Sequence, residues 1–157
     1  MRKRLIKFIA TGYGVGYVPF APGLAGSLVG LFFWWLVAQT GQFWQPWLYG
    51  FHVIVSVVIA DEAARIIGKP DPPCVVIDEI VAVPLALAGL GIVWWKVALA
   101  FVLFRLFDVW KPAPVRQAQA FSGGLGIVLD DLLAALYACG ATHAVVWAVE
   151  RIGHRSF

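Results

Sequence analysis

Residues 8 to 60 include no Asp, Glu, Lys or Arg, and a second uncharged run covers residues 132 to 149. A helix needs roughly 20 apolar residues to cross the hydrocarbon of a bilayer. Of the 157 residues 61% are hydrophobic and 13% charged, where an ordinary globular domain has about one quarter charged. One small core could not hide that much apolar surface. The expectation is a single domain over residues 1–157, an all-α, polytopic membrane helix bundle.

Gly and Pro punctuate the chain at residues 19–26, 39–46, 68–73, 89–96 and 112–126. Between these breaks lie apolar segments of helical length at about 24–38, 47–67, 75–90, 96–110 and 126–149. They predict about five short or partly broken helices, with five crossings. The opening MRKRLIKF is basic and then apolar, like the start of a secretory signal, but ATGYGVGYVPFAPG follows. That is too rich in Gly and Pro for an apolar signal core, so the segment is expected to be retained. It is expected to form a non-helical interfacial stretch, tolerated where protein or water satisfies its backbone. Its N–H groups, and those of SGGLG at residues 122–126, could face an anion. Cys74 and Cys139 form neither a metal pair nor a disulfide framework.

With the N-terminus inside, alternation puts Arg2, Lys3, Arg4, Lys7, Arg65, Lys69, Arg105, Lys111 and Arg116 on the cytoplasmic side. Lys96, Arg151 and Arg155 fall outside, which obeys the positive-inside rule. Phe43, Trp44, Trp47, Trp94 and Trp95 then sit at outer interfaces. The same threading brings Asp61, Glu62, Asp71, Asp78, Glu79, Asp108, Asp130 and Asp131 to the inner side and leaves Glu150 alone outside. No orientation rule demands that convergence.

In FRLFDVWKP, Arg105, Asp108 and Lys111 are spaced by three, within an arc of roughly 120° on a helix. An acid in an apolar span costs about 2.5–3.5 kcal/mol on insertion scales, which makes it a functional suspect. Asp78–Glu79 and Asp130–Asp131 each open an apolar stretch. Each pair alone could be explained by the dipole at a helix N-terminus. Together they would repel unless a cation or shared proton held them. Mg2+ takes oxygen ligands and uses one or two carboxylates plus a substrate phosphate, while Arg105 and Lys111 suit phosphate oxygens. Asp61 and Glu62 have Arg65 within a turn as an ion-pair partner, and Asp71, in GKPDPP, looks like a turn residue. The histidines, His52, His143 and His154, lie away from the acids, so neither a His nucleophile nor a Zn site is expected. Nothing calls for a nucleic-acid partner.

Three blocks, GYGVGYVPFAPGLAGS at 12–27, DPPCVVIDEIVA at 71–82 and FRLFDVWKPAPVRQAQAFSGGLGIVLDDLLAALYA at 104–138, resemble the phosphatidylglycerophosphatase A family of bacterial membrane lipid phosphatases. The resemblance implies Mg2+-dependent hydrolysis of the terminal phosphate of phosphatidylglycerophosphate at the cytoplasmic face of the inner membrane. Carried onto this chain, Asp78, Glu79, Asp130 and Asp131 would be metal ligands. Asp108, Asp78 and Asp131 would be catalytic, Arg105 and Lys111 would bind phosphate, and Asp71 and Glu62 are further candidates. Two positions depart from the family pattern, with Leu24 where Thr is usual and Ala82 where Gly is usual. An intramembrane carboxylate cluster also suits a divalent-cation or proton transporter, but that reading predicts acids spread through the membrane depth. It would also be poorly served by Arg105 and Lys111.

Overall fold

In a computed structural model, residues 1–153 are described; Arg155, placed on the outer side above, and His154, set apart from the acids, lie outside the described residues. The elements are α1 (Arg2–Ala10), a 3-10 turn (Val15–Tyr17), α2 (Pro22–Ala38), α3 (Gln45–Ile67), α4 (Ile77–Ala86), α5 (Trp94–Trp110), α6 (Val115–Ala118) and α7 (Gly124–Gly153), with no strand among the described residues. The five apolar segments are all helical. Three details differ from expectation. The basic N-terminus forms α1, because Ile6, Ile9 and Ala10 find an apolar cluster on α3. The Gly/Pro-rich stretch is non-helical only to Ala21, because Pro22 is preorganised for the start of α2. Helix α4 has 10 residues rather than the span 75–90. The Val76 N–H turns aside to the Ala10 carbonyl (2.9 Å), and Gly89 and Gly91 are left-handed beyond the helix end.

Helices α2, α3, α4, α5 and α7 alternate in direction. At one end Asp61 of α3 accepts a hydrogen bond from the Gly124 N–H at the start of α7 (3.2 Å). At the other end Lys96 of α5 pairs with Glu150 of α7 (2.8 Å). Helix α4 lies at the centre, packed on α2, α3, α5 and α7. At 1.5 Å per residue it is about 15 Å long, half the thickness of a bilayer core.

Small residues fill the contacts. Ala60, Ala63, Ala82, Ala100, Ala134, Ala135 and Ala138 are fully buried, while Phe32, Trp47, Ile54, Val102, Leu106 and Trp147 face outward. Small residues inside and large apolar ones outside suit helices that pack by close approach in apolar surroundings. Gly26 and Gly30 of α2 abut α4: a Cβ on Gly30 would lie 2.9 Å from the Ile80 carbonyl oxygen. That carbonyl has lost its helical donor to Pro84. Buried hydroxyls bond back along their own helices, Ser56 to the Val53 carbonyl and Thr142 to that of Ala138. Among the described residues α7 alone is long and apolar enough to cross a bilayer by itself, and α2 is a shorter apolar helix.

Candidate active site

Three helices deliver the acids of the site to one end of the bundle. Asp78 and Glu79 lie in the first turn of α4, where the helix dipole favours them. Asp108 is in the last turn of α5. Asp130 and Asp131 stand well inside α7, which begins at Gly124, beyond the first turn over which a dipole acts. Helix-end electrostatics therefore does not account for the second pair.

Among the described residues three buried side-chain oxygens have no hydrogen-bond partner: Asp78 Oδ1, Glu79 Oε2 and Asp131 Oδ2. One oxygen from each of these carboxylates lies within 4.8 Å of the others. Buried polar atoms are nearly always satisfied, so an orphan on each of three clustered carboxylates requires an explanation. A hard divalent cation fits this donor set, which consists of carboxylate oxygens alone.

Beside the trio is a chain of ion pairs. Asp108 accepts from Arg105 Nη1 (2.9 Å) and lies 3.6 Å from Lys111 Nζ. Lys111 Nζ also reaches Asp130 Oδ2, which accepts from Gln119 Nε2 as well (3.0 Å). Arg105 Nη1 donates to Ser27 Oγ (3.1 Å), and that hydroxyl donates to the Gly23 carbonyl (2.8 Å). Lys111 ends α5 at φ 48°, a left-handed setting that costs a non-glycine residue of order 1–3 kcal/mol and is common at functional sites. Five carboxylates, Asp78, Glu79, Asp108, Asp130 and Asp131, thus face two cations.

The structure brings Asp78, Glu79 and Asp131 together, and sets Arg105, Lys111 and Asp108 next to them. Asp130 differs from the expected ligand set: neighbouring residues on a helix point about 100° apart, and Asp130 turns to Lys111 and Gln119. Asp71 lines a cleft of about 210 Å³ with Asp130 and Gln119. Burial raises its carboxyl above the ordinary value, the Asp130 charge adds to this, and Lys111 opposes it. Glu62 stands apart with Arg65 and Arg2, both at 3.8 Å. Asp61 pairs with Arg65 and caps α7. His52 and His143 lie against the Leu48 and Ala88 carbonyls, away from the acids. Ser27 and Gln119 were not singled out in the sequence. A lone Ser in an uncharged apolar helix was the available signal for the first; nothing marked the second.

The sequence pattern of the family Phosphatidylglycerophosphatase A matches residues 8–146. The chain belongs to this family. It is therefore a phosphatase, a phosphoric monoester hydrolase of phospholipid metabolism. It is 33% identical to Phosphatidylglycerophosphatase A of Escherichia coli over 144 residues, covering 87% of this chain and 81% of that one. The Haemophilus influenzae protein of the same name is 32% identical over 151 residues, 92% and 88% of the two chains. A Bacteroides thetaiotaomicron protein whose name provisionally assigns it to the phosphatidylinositol-3-phosphatases is 36% identical over 149 residues, 90% and 93%. No solved structure matches. The family's usual Thr is here Leu24, which is half exposed, whereas Ser27 one turn on supplies a hydroxyl to Arg105. The usual Gly is Ala82, fully buried, so what this position requires is a small side chain.

Proposed function

We propose that the chain removes the terminal phosphate of phosphatidylglycerophosphate in a Mg2+-dependent reaction, giving phosphatidylglycerol and inorganic phosphate. The observation that carries this reading is the trio of buried, unpartnered carboxylate oxygens beside Arg105 and Lys111. Asp78, Glu79 and Asp131 would hold Mg2+, which when bound supplies Lewis-acid polarisation and a more acidic water.

The chain's own residues do the rest. Arg105 receives phosphoryl oxygens through its fork and Lys111 as a point charge. Asp108 holds both bases before substrate arrives and orients the attacking water once they turn to phosphate. Ser27 keeps the guanidinium aimed, and Gln119 and Asp130 do the same for the Lys111 ammonium. Charge developing on the transferred group then meets donors already in place, which is where most of the rate gain in such chemistry arises.

The bundle crosses the inner membrane several times, with this end toward the cytoplasm. Support comes from Arg2, Lys3, Arg4, Lys7, Arg65, Lys69, Lys111 and Arg116 at the same end. The outward Phe43, Trp44, Trp47, Trp94 and Trp95 at the other end agree. A cation path is disfavoured because the far end offers one acid, Glu150, already paired.

Phosphate release in detergent micelles from phosphatidylglycerophosphate and from phosphatidylinositol 3-phosphate, with Mg2+ and with EDTA, tests the reading. Metal-dependent release from the first, lost in Asp131→Asn, is expected. Release from the second alone would replace the substrate, and no release from either would remove the phosphatase mechanism.

A further inference from the structure

The N-terminal helix is not used by the site described above. On α1, Ile6, Ile9 and Ala10 pack against α3. At 100° per residue, Lys3, Lys7 and Arg4 share an arc of about 100° beside that buried face, and Leu5 and Phe8 occupy the next about 60°. Leu5 and Phe8 are 59% and 51% exposed. The apolar stripe continues through Tyr13, which meets Phe8 edge-on with ring centroids 5.4 Å apart, to the exposed Tyr17 and Phe20.

A helix with one packed face, one basic face and one free apolar face has the form of an in-plane interfacial helix, whose basic residues attract anionic head groups. The charge is nearly one-signed: among the described residues, Arg2 alone of the four basic residues has an acidic neighbour, Glu62 at 3.8 Å. The helix is also tied to the site, since its Ala10 carbonyl accepts the Val76 N–H two residues before Asp78. We infer that α1 is a docking surface for the anionic phospholipids of the leaflet that contains the active-site mouth. Lys3, Arg4 and Lys7 bind their phosphates, and Leu5, Phe8, Tyr13 and Phe20 enter the acyl boundary. This rests on the membrane placement proposed above but not on the phosphatase mechanism.

The test uses the full chain in lipid nanodiscs, with Cys74 and Cys139 replaced by Ala and a bimane fluorophore on Leu5→Cys or, as a depth control, on Val145→Cys of α7. Bromine is carried on the acyl chains of either phosphatidylserine, which is not a substrate, or phosphatidylcholine, in discs of equal mixture. The label at position 5 should be quenched with a preference of about fivefold for brominated phosphatidylserine, the enrichment that a single basic residue near an anionic surface supports. The preference should disappear in Lys3→Gln/Arg4→Gln/Lys7→Gln and at high salt, while position 145 shows none. Equal quenching by the two lipids at position 5 would overturn the head-group assignment. Quenching at 145 but not at 5 would overturn the interfacial placement. Quenching at neither would remove the membrane placement and this inference with it.

Discussion

The two ends of the bundle use charge in opposite ways. At the far end Lys96 pairs with Glu150 at 2.8 Å and lies over the Trp95 ring, and Arg151 stacks on Trp147. Every charge named there has a partner, and the Glu150 side chain is 56% exposed. At the site end, buried carboxylates from α4 and α7 crowd together, each with an orphan oxygen. Such repulsion opposes folding. A cluster that does nothing for the bare chain, beside bases that could have neutralised it, is arranged for something that binds there.

The largest expected effect follows from breaking the crowded end. Asp131→Asn or Asp78→Asn should lower kcat on the order of 10³-fold, comparable to loss of a transition-state-stabilising group, measured as phosphate release at saturating Mg2+. The same variants should unfold at a higher temperature than the parent in EDTA and at a lower one in Mg2+, because the substitution removes repulsion and ligation together. A lower melting temperature in both conditions would contradict the comparison.

Arg105→Ala should cost kcat/KM on the order of 10²-fold, and Arg105→Lys should recover only part, because a point charge cannot replace the fork. Ser27→Ala should cost roughly 10-fold, the size of one hydrogen bond to a charged group. In that variant Thr in place of Ser should restore activity. Away from charge, Gly30→Ala should lower stability by about 1–3 kcal/mol through overpacking against Ile80 and Val83. The smallest effect belongs to the far end. Lys96→Gln should change stability by roughly 0.2–1 kcal/mol, as for a pair with one exposed partner, and leave kcat untouched in the same phosphate assay.

Much of this contrast is readable in the residues. Uncharged runs punctuated by Gly and Pro locate α2, α3, α5 and α7, and simple alternation places Asp78, Glu79, Asp108, Asp130 and Asp131 at one end. Adjacent acids are harder. Asp130 and Asp131 have the same chemistry and differ only in azimuth, and which of them meets Asp78 depends on how α7 is rotated against α4. The short α4 was hidden because residues 75–90 are apolar apart from Asp78 and Glu79 whether helical or not, and its start is set by the Ala10 carbonyl drawing off the Val76 N–H. Helix α1 was hidden for the opposite reason: four of its nine residues are charged, and its helicity comes from tertiary contact with α3.

The bond from the Gly124 N–H to Asp61 has a consequence beyond capping. A helix that slipped by one residue along its neighbour would turn by about 100°, exchanging Asp131 for Asp130 or Leu132 at the site. Gly124 is pressed so closely on α3 that a Cβ would strike the Val57 carbonyl. The start of α7 is thus an index mark that sets the phase of the helix, and the distance from Gly124 to Asp131 works as a ruler. One residue inserted between them would leave every side chain of the site in the sequence and turn Asp130 and Asp131 out of the site in the protein.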